Sequence, residues 1–178
     1  MKKFILLVII SLIGTNSSSQ KKEKFKLGVK LEENTIITDF KSANSILFIF
    51  KDDTHMINFY LDLTKRLKKR FNKSNQKIDF NFELYSDNPF ESDLNSIPKK
   101  KFNKTDYDLI CMISTSTLRF WDNHLFDKRK QNYDLILRLE KSETNELVET
   151  AKINVKSYYT IVTQNKNLSK LIYELITY

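Results

Sequence analysis

Apolar and polar positions change their period several times along the chain, and each change marks an element. Ser45 to Phe50 carries the unbroken run Ile46-Leu47-Phe48-Ile49-Phe50, which stops at Lys51-Asp52-Asp53-Thr54. A run this short, rich in Ile and Phe and without a polar side, predicts a strand covered on both faces. The next segment has the helical period: Met56, Tyr60, Leu63, Leu67 and Phe71 recur three or four apart, while Asn58, Asp62, Lys65 and Lys69 fall on the other side. The spacing predicts a helix over about Thr54 to Asn72, with Asp53 or Thr54 as its N-cap and Asp62 to Arg66 as a favourable i, i+4 pair.

Ile78, Phe80, Phe82 and Leu84 then alternate with Asp79, Asn81 and Glu83, the mark of a strand with one dry and one wet face. Strand, helix and strand together predict a β-α-β unit with parallel strands and a right-handed crossover. From Tyr85 to Asp106 the pattern dissolves into a loop of about twenty residues, a length that tends to carry function. Tyr107 to Ser114 reads as an internal strand ended by Ser114-Thr115-Ser116-Thr117 as turn formers, and Leu118 to Gln131 as irregular. Tyr133, Leu135, Leu137 and Leu139 begin a hairpin that returns through Leu147, Ala151, Ile153 and Val155. Asn145 is the residue of its loop best suited to a left-handed conformation. Tyr158 to Thr163 extends that strand or adds another. Asn167 caps a last helix with the stripe Leu168, Leu171, Ile172, Leu175 and Ile176. Earlier, Leu27, Val29 and Leu31 alternate and predict an edge strand or small hairpin within the lead segment 20–38. The sum is one α/β (α+β) domain over 39–178: a mixed sheet of about five strands, one long amphipathic helix and a short C-terminal helix.

The first nineteen residues belong to a different class. Lys2-Lys3, the apolar stretch Phe4 to Ile13 and the small polar residues up to Ser19 have the three-part order of a secretory signal peptide. About ten apolar residues make roughly 15 Å of helix, half a bilayer's hydrocarbon, so cleavage is expected over a retained anchor. The chain is therefore expected to be exported, periplasmic or extracellular, with no transmembrane span in its mature part.

Composition adds three constraints. Two Gly and two Pro among 178 residues argue against a turn-dense sandwich, and 12% aromatics argue against disorder. The single Cys111 rules out an internal disulfide and, inside Leu109-Ile110-Cys111-Met112-Ile113, reads as a small buried hydrophobe. Net charge is +8, supplied by 25 Lys and only 5 Arg. Arg is the residue that phosphate and base recognition favours, and export removes the chain from the cytoplasm, so nucleic acid is not an expected partner.

Two clusters could carry chemistry. Asp52, Asp53 and His55 stand at the C-terminal end of an internal strand, where open α/β sheets bind ligands. Asp122, His124 and Asp127 could join them to hold a divalent metal for hydrolysis, provided the groups come within about 8 Å of one another, since metal bonds are roughly 2 Å long. In the ordinary alternative Asp53 caps the helix, Asp52 is exposed and both His are surface residues. The second cluster is the basic helix face Lys65, Arg66, Lys68, Lys69, Arg70 and Lys73, which with Lys99 to Lys101 suits an anionic surface. Its ordinary alternative is a solvated face. No glycine-rich phosphate loop or nucleophile elbow is present.

The Asp39-Phe40 lead, the Ser45-to-Phe50 strand, the helix, Tyr107-Asp108-Leu109-Ile110, the Tyr133-to-Leu139 and Leu147-to-Ile153 hairpin, and the Leu168-to-Ile176 helix together resemble the small α/β domain of bacterial envelope lipoproteins of the curli-secretion and penicillin-binding-protein-activator type. The chain departs from them in two places: it lacks a lipid-anchor Cys, and it has Thr144-Asn145 where they often have Thr-Gly. The resemblance implies a non-enzymatic component without a cofactor, working through contacts with another envelope protein. It transfers no functional residue. The function expected is thus an exported binding or scaffolding protein, using a surface such as the Tyr85-to-Asp106 loop or the Trp121 region. The alternatives are a metal-dependent hydrolase and a binder of anionic surfaces.

Overall fold

A computed structural model describes residues 26–38, 40, 43–85, 101–120, 130–158 and 162–177. Its strands are β1 (Gly28–Ile36), β2 (Ser45–Asp53), β3 (Lys77–Tyr85), β4 (Leu109–Phe120), β5 (Lys130–Lys141) and β6 (Leu147–Tyr158), and its helices α1 (Ile57–Phe71) and α2 (Val162–Thr177). All six strands form one mixed sheet in the order β1-β6-β5-β4-β2-β3. The apolar run is β2, parallel to both neighbours, and Ile46 to Phe50 are all buried. β4 to β5, β5 to β6 and β6 to β1 are antiparallel.

Both helices lie on one face of the sheet and pack on each other. α1 buries Phe59, Tyr60, Leu63, Leu67 and Phe71, the stripe its period requires. The parallel register sets Phe48 beside Phe80 and Phe50 beside Phe82, so their rings stack at 5.4 and 5.3 Å, while Tyr60 of α1 closes on Phe50 at 4.5 Å. α2 lies over β1 and β6. The opposite face has a smaller cluster, where Phe102 and Tyr107 cover Leu47, Ile49 and Ile110 next to β2. Over β5 and β6 the same face is polar, presenting Asn132, Asp134, Arg138, Lys152, Asn154 and Lys156.

Several details depart from the expectation. The long helix begins at Ile57 after a 3-10 turn, Thr54–Met56, and its N-cap is Met56, which makes no side-chain cap bond. Ser114 to Thr117 do not end β4. Thr is itself a good strand former, and the strand absorbs the segment with a bulge between Thr115 and Thr117 and runs on to Phe120. The last helix begins at Val162, so Asn167 lies inside it. The loop residue Asn145 does take the left-handed conformation, with φ 54°. The edge strand expected in the lead segment is β1, antiparallel to β6. No described helix is long and apolar enough to cross a membrane.

Candidate functional site

The pairing of α1 with α2 organises the basic face. Asn165 of α2 is fully buried and donates from Nδ2 to the Phe59 carbonyl at 3.1 Å and to Asp62 Oδ2 at 2.9 Å. Asp62 also accepts from Arg66 Nε at 2.7 Å. Burial works against the Asp62 carboxylate, but these two donors hold it below the usual carboxylate range, so it stays ionised and fixes Arg66. One turn on, Arg70 donates from Nε to Ser169 Oγ at 3.0 Å and from Nη2 to the Lys166 carbonyl at 2.9 Å. Ser169 can accept because its own proton goes to the same carbonyl, at 3.0 Å.

The result is a groove of about 280 Å³ lined by Arg66, Lys69 and Arg70 from α1, by Lys73 from the turn after it, and by Lys166, Ser169 and Tyr173 from α2. Two guanidinium groups are anchored through Nε on one rim, which leaves terminal N–H groups of each for a ligand. Arg70 is held by neutral acceptors, and Lys69, Lys73 and Lys166 have no ion pair among the described residues, so the positive charge is balanced only at Arg66. Cations in the last turn of α1 also suit the negative end of the helix dipole. The dipole, however, requires neither Lys166 from the other helix nor a fixed guanidinium. Of the six basic residues expected to act together, four line the groove. Lys68 turns to the sheet edge, 5.5 Å from the Phe80 ring centroid, and Lys65 is exposed outside the lining. Lys166, Ser169 and Tyr173 were not among the residues expected from the sequence, although their spacing of three and four is the signal of a second stripe on α2.

The other cluster behaves differently. Asp52 is not exposed, as its ordinary alternative has it, but 5% accessible. Its Oδ2 accepts from the Tyr60 hydroxyl at 2.5 Å and from the Thr115 backbone N–H at 2.8 Å, and the Thr115 hydroxyl donates to both carboxylate oxygens at 2.7 and 2.8 Å. The β2–β4 ladder ends at the Phe50–Ile113 pair, and the carboxylate takes up the next N–H on that side of β4. Burial, with Asp52 beside it, pushes the Tyr60 phenol far up, so it remains a donor. Asp53 is the last residue of β2, opposite Tyr85, and His55 lies in the 3-10 turn. Asp122, His124 and Asp127 lie outside the described residues. Among the described residues no three His, Cys, Asp or Glu are gathered as a metal site. Cys111 is buried, and burial pushes its thiol up, the state of an inert core residue.

One more carboxylate is buried. Glu149 of β6, 8% accessible, lines a separate pocket of about 90 Å³ under the C-terminal half of α2. Burial raises its pKa above the ordinary value, and a hydrogen bond from Asn34 only partly opposes this. A carboxyl whose folded pKa is raised contributes most stability below the unfolded value of about 4.3 and loses it as pH climbs through the folded pKa. Glu149→Gln is therefore expected to raise the denaturant midpoint at pH 7 and to lose that advantage towards pH 4. Equal midpoints for the two chains at both pH values would contradict this.

No protein family matches the chain, and no curated protein sequence matches it. It is similar to solved structures of low identity, among them these two. One is a point-variant PelC dodecamer from Paraburkholderia phytofirmans, with TM-score 0.47 and 6% identity over 86% of this chain and 100% of that one. The other is lipoprotein GNA1162 from Neisseria meningitidis, with TM-score 0.40 and 10% identity over 74% and 94%. At these scores neither likeness carries a family or a function to this chain.

Proposed function

We propose that this chain is an exported, non-enzymatic binding protein of the cell envelope that holds a phosphate-bearing lipid headgroup in the groove between α1 and α2. The N-terminal pattern of Lys2-Lys3 and an apolar stretch supports export. The observation that carries the reading is the anchoring of Arg66 and Arg70 through Nε beside Lys69, Lys73 and Lys166. Fixed guanidinium forks suit phosphate oxygens, because the geometry is set before the ligand arrives and little side-chain entropy is lost on binding. The walls between the charges are Tyr173 and aliphatic side-chain stems, which suit the glycerol part of a headgroup.

Binding to phosphatidylcholine vesicles with and without phosphatidylglycerol, followed by co-sedimentation, tests this. Affinity for the anionic vesicles is expected to fall at least about tenfold between roughly 50 and 200 mM salt. The double change Lys69→Glu and Lys73→Glu is expected to cost a similar factor at the lower salt while leaving the thermal midpoint nearly unchanged, since both residues are exposed. Competition by glycerol phosphate at millimolar concentration distinguishes a headgroup site from a diffuse surface field. Vesicle binding that ignores both salt and the charge reversals would overturn the reading.

A further inference from the structure

The pocket at Glu149 lies away from the basic groove and shares no residue with it. Its walls are Leu139, Val148, Leu175 and Ile176 with Ile36, Thr38, Phe40 and Leu109, and Glu149 is the one charged side chain among these described residues. The residue is 8% accessible and makes no ion pair with a described Lys or Arg. A buried carboxylate normally has a cation beside it, because removal from water costs roughly several kcal/mol per ion. Here the described hydrogen-bond partner is the neutral Asn34 amide, and the buried Cys111 thiol lies close enough to feel the charge.

We propose that this pocket takes a primary alkylammonium group, with the aliphatic stem against Leu139, Leu175 and Ile176 and the ammonium on the Glu149 carboxylate. The size fits the charged end: about 90 Å³ is the volume of about three waters, room for the ammonium and about two carbons, with the rest of the stem at the pocket mouth. The charge fits as well. An anion is repelled by Glu149, and a neutral alkyl group leaves the carboxylate without its counter-charge. A guanidinium needs a planar spread of acceptors, whereas the wall offers one carboxylate and the Thr38 hydroxyl, which donates to Glu146 at 2.8 Å and keeps lone pairs free. At the pocket mouth, Ile36 of the wall and its neighbour Ile37 are 64% and 54% exposed, an apolar rim for whatever bears the amine. The raised pKa described above is consistent with a carboxylate lacking that partner.

The probe is n-butylammonium chloride, titrated into the full chain at pH 7 and followed through the methyl resonances of Val148, Leu175 and Ile176. A dissociation constant on the order of millimolar is expected for so small a ligand. n-Butanol is expected to bind at least about tenfold more weakly, and Glu149→Gln to weaken n-butylammonium by a similar factor. N-acetyl-lysine N-methylamide in a parallel titration assigns the source: tighter binding than n-butylammonium points to a partner protein's lysine, weaker binding to a free amine. The proposal fails if those methyl groups do not shift, or if n-butanol shifts them as well as the amine does. The butanol comparison uses the unaltered chain and so stands even if the variant folds poorly.

Discussion

Phe50→Ala is expected to destabilise the fold by about 3 to 5 kcal/mol, read as a lower urea midpoint with an unchanged slope. The residue is fully buried, and its ring meets Tyr60 at 4.5 Å, Phe82 at 5.3 Å and Phe80 at 6.2 Å. Truncation removes apolar area and leaves a cavity bounded by rigid rings on a strand held from both sides, so little collapse can refill it. Total stabilities of about 5 to 15 kcal/mol make this a large share of the whole. Leu61→Ala, on the exposed side of α1, is the control and should stay within about 0.5 kcal/mol. Similar losses at the two positions would mean that β2 is not the centre of the core.

Asp52→Ala is expected to cost about 3 kcal/mol or more, and Asp52→Asn about 1 to 2, in the same measurement. Alanine strands the Tyr60 hydroxyl and the Thr115 N–H, which both aim at Oδ2 inside the protein. Asparagine keeps an oxygen for those two donors and can offer its amide to the Thr115 hydroxyl, so the network survives with weaker bonds. The ordering of the two variants is the discriminating result. Equal losses would show that the carboxylate's charge, and not merely an accepting oxygen in its place, holds the end of β2 to β4.

The core was legible because its elements repeat a simple period. The Ile46-to-Phe50 run had no polar side and proved to be the strand with parallel neighbours on both edges. The stripe on α1 and the alternation in β3 and the hairpin likewise fell where their spacing put them. What escaped was decided by contacts distant in sequence. Ser114 to Thr117 look like a turn until Asp52, some sixty residues earlier, is seen to take the Thr115 N–H beyond the end of the β2–β4 ladder. The same holds for the groove: six cations on one helix could be counted, but which four face α2 depends on Asn165 and Asp62 locking the two helices together. Glu149 is in phase with the inward Ala151, Ile153 and Val155, but the pocket beside it depends on residues 36–40 and the end of α2 packing there.

The sheet also sets a schedule for its own assembly. Its outermost strand at one edge is the first to be made, and that strand's partner is the last: Gly28 pairs with Lys156 and Ile36 with Glu149. Such a contact closes a very long loop and cannot form until nearly the whole polypeptide has emerged from the ribosome. That delay suits the export proposed above, since a chain threads a translocon only while its sheet is still unfinished.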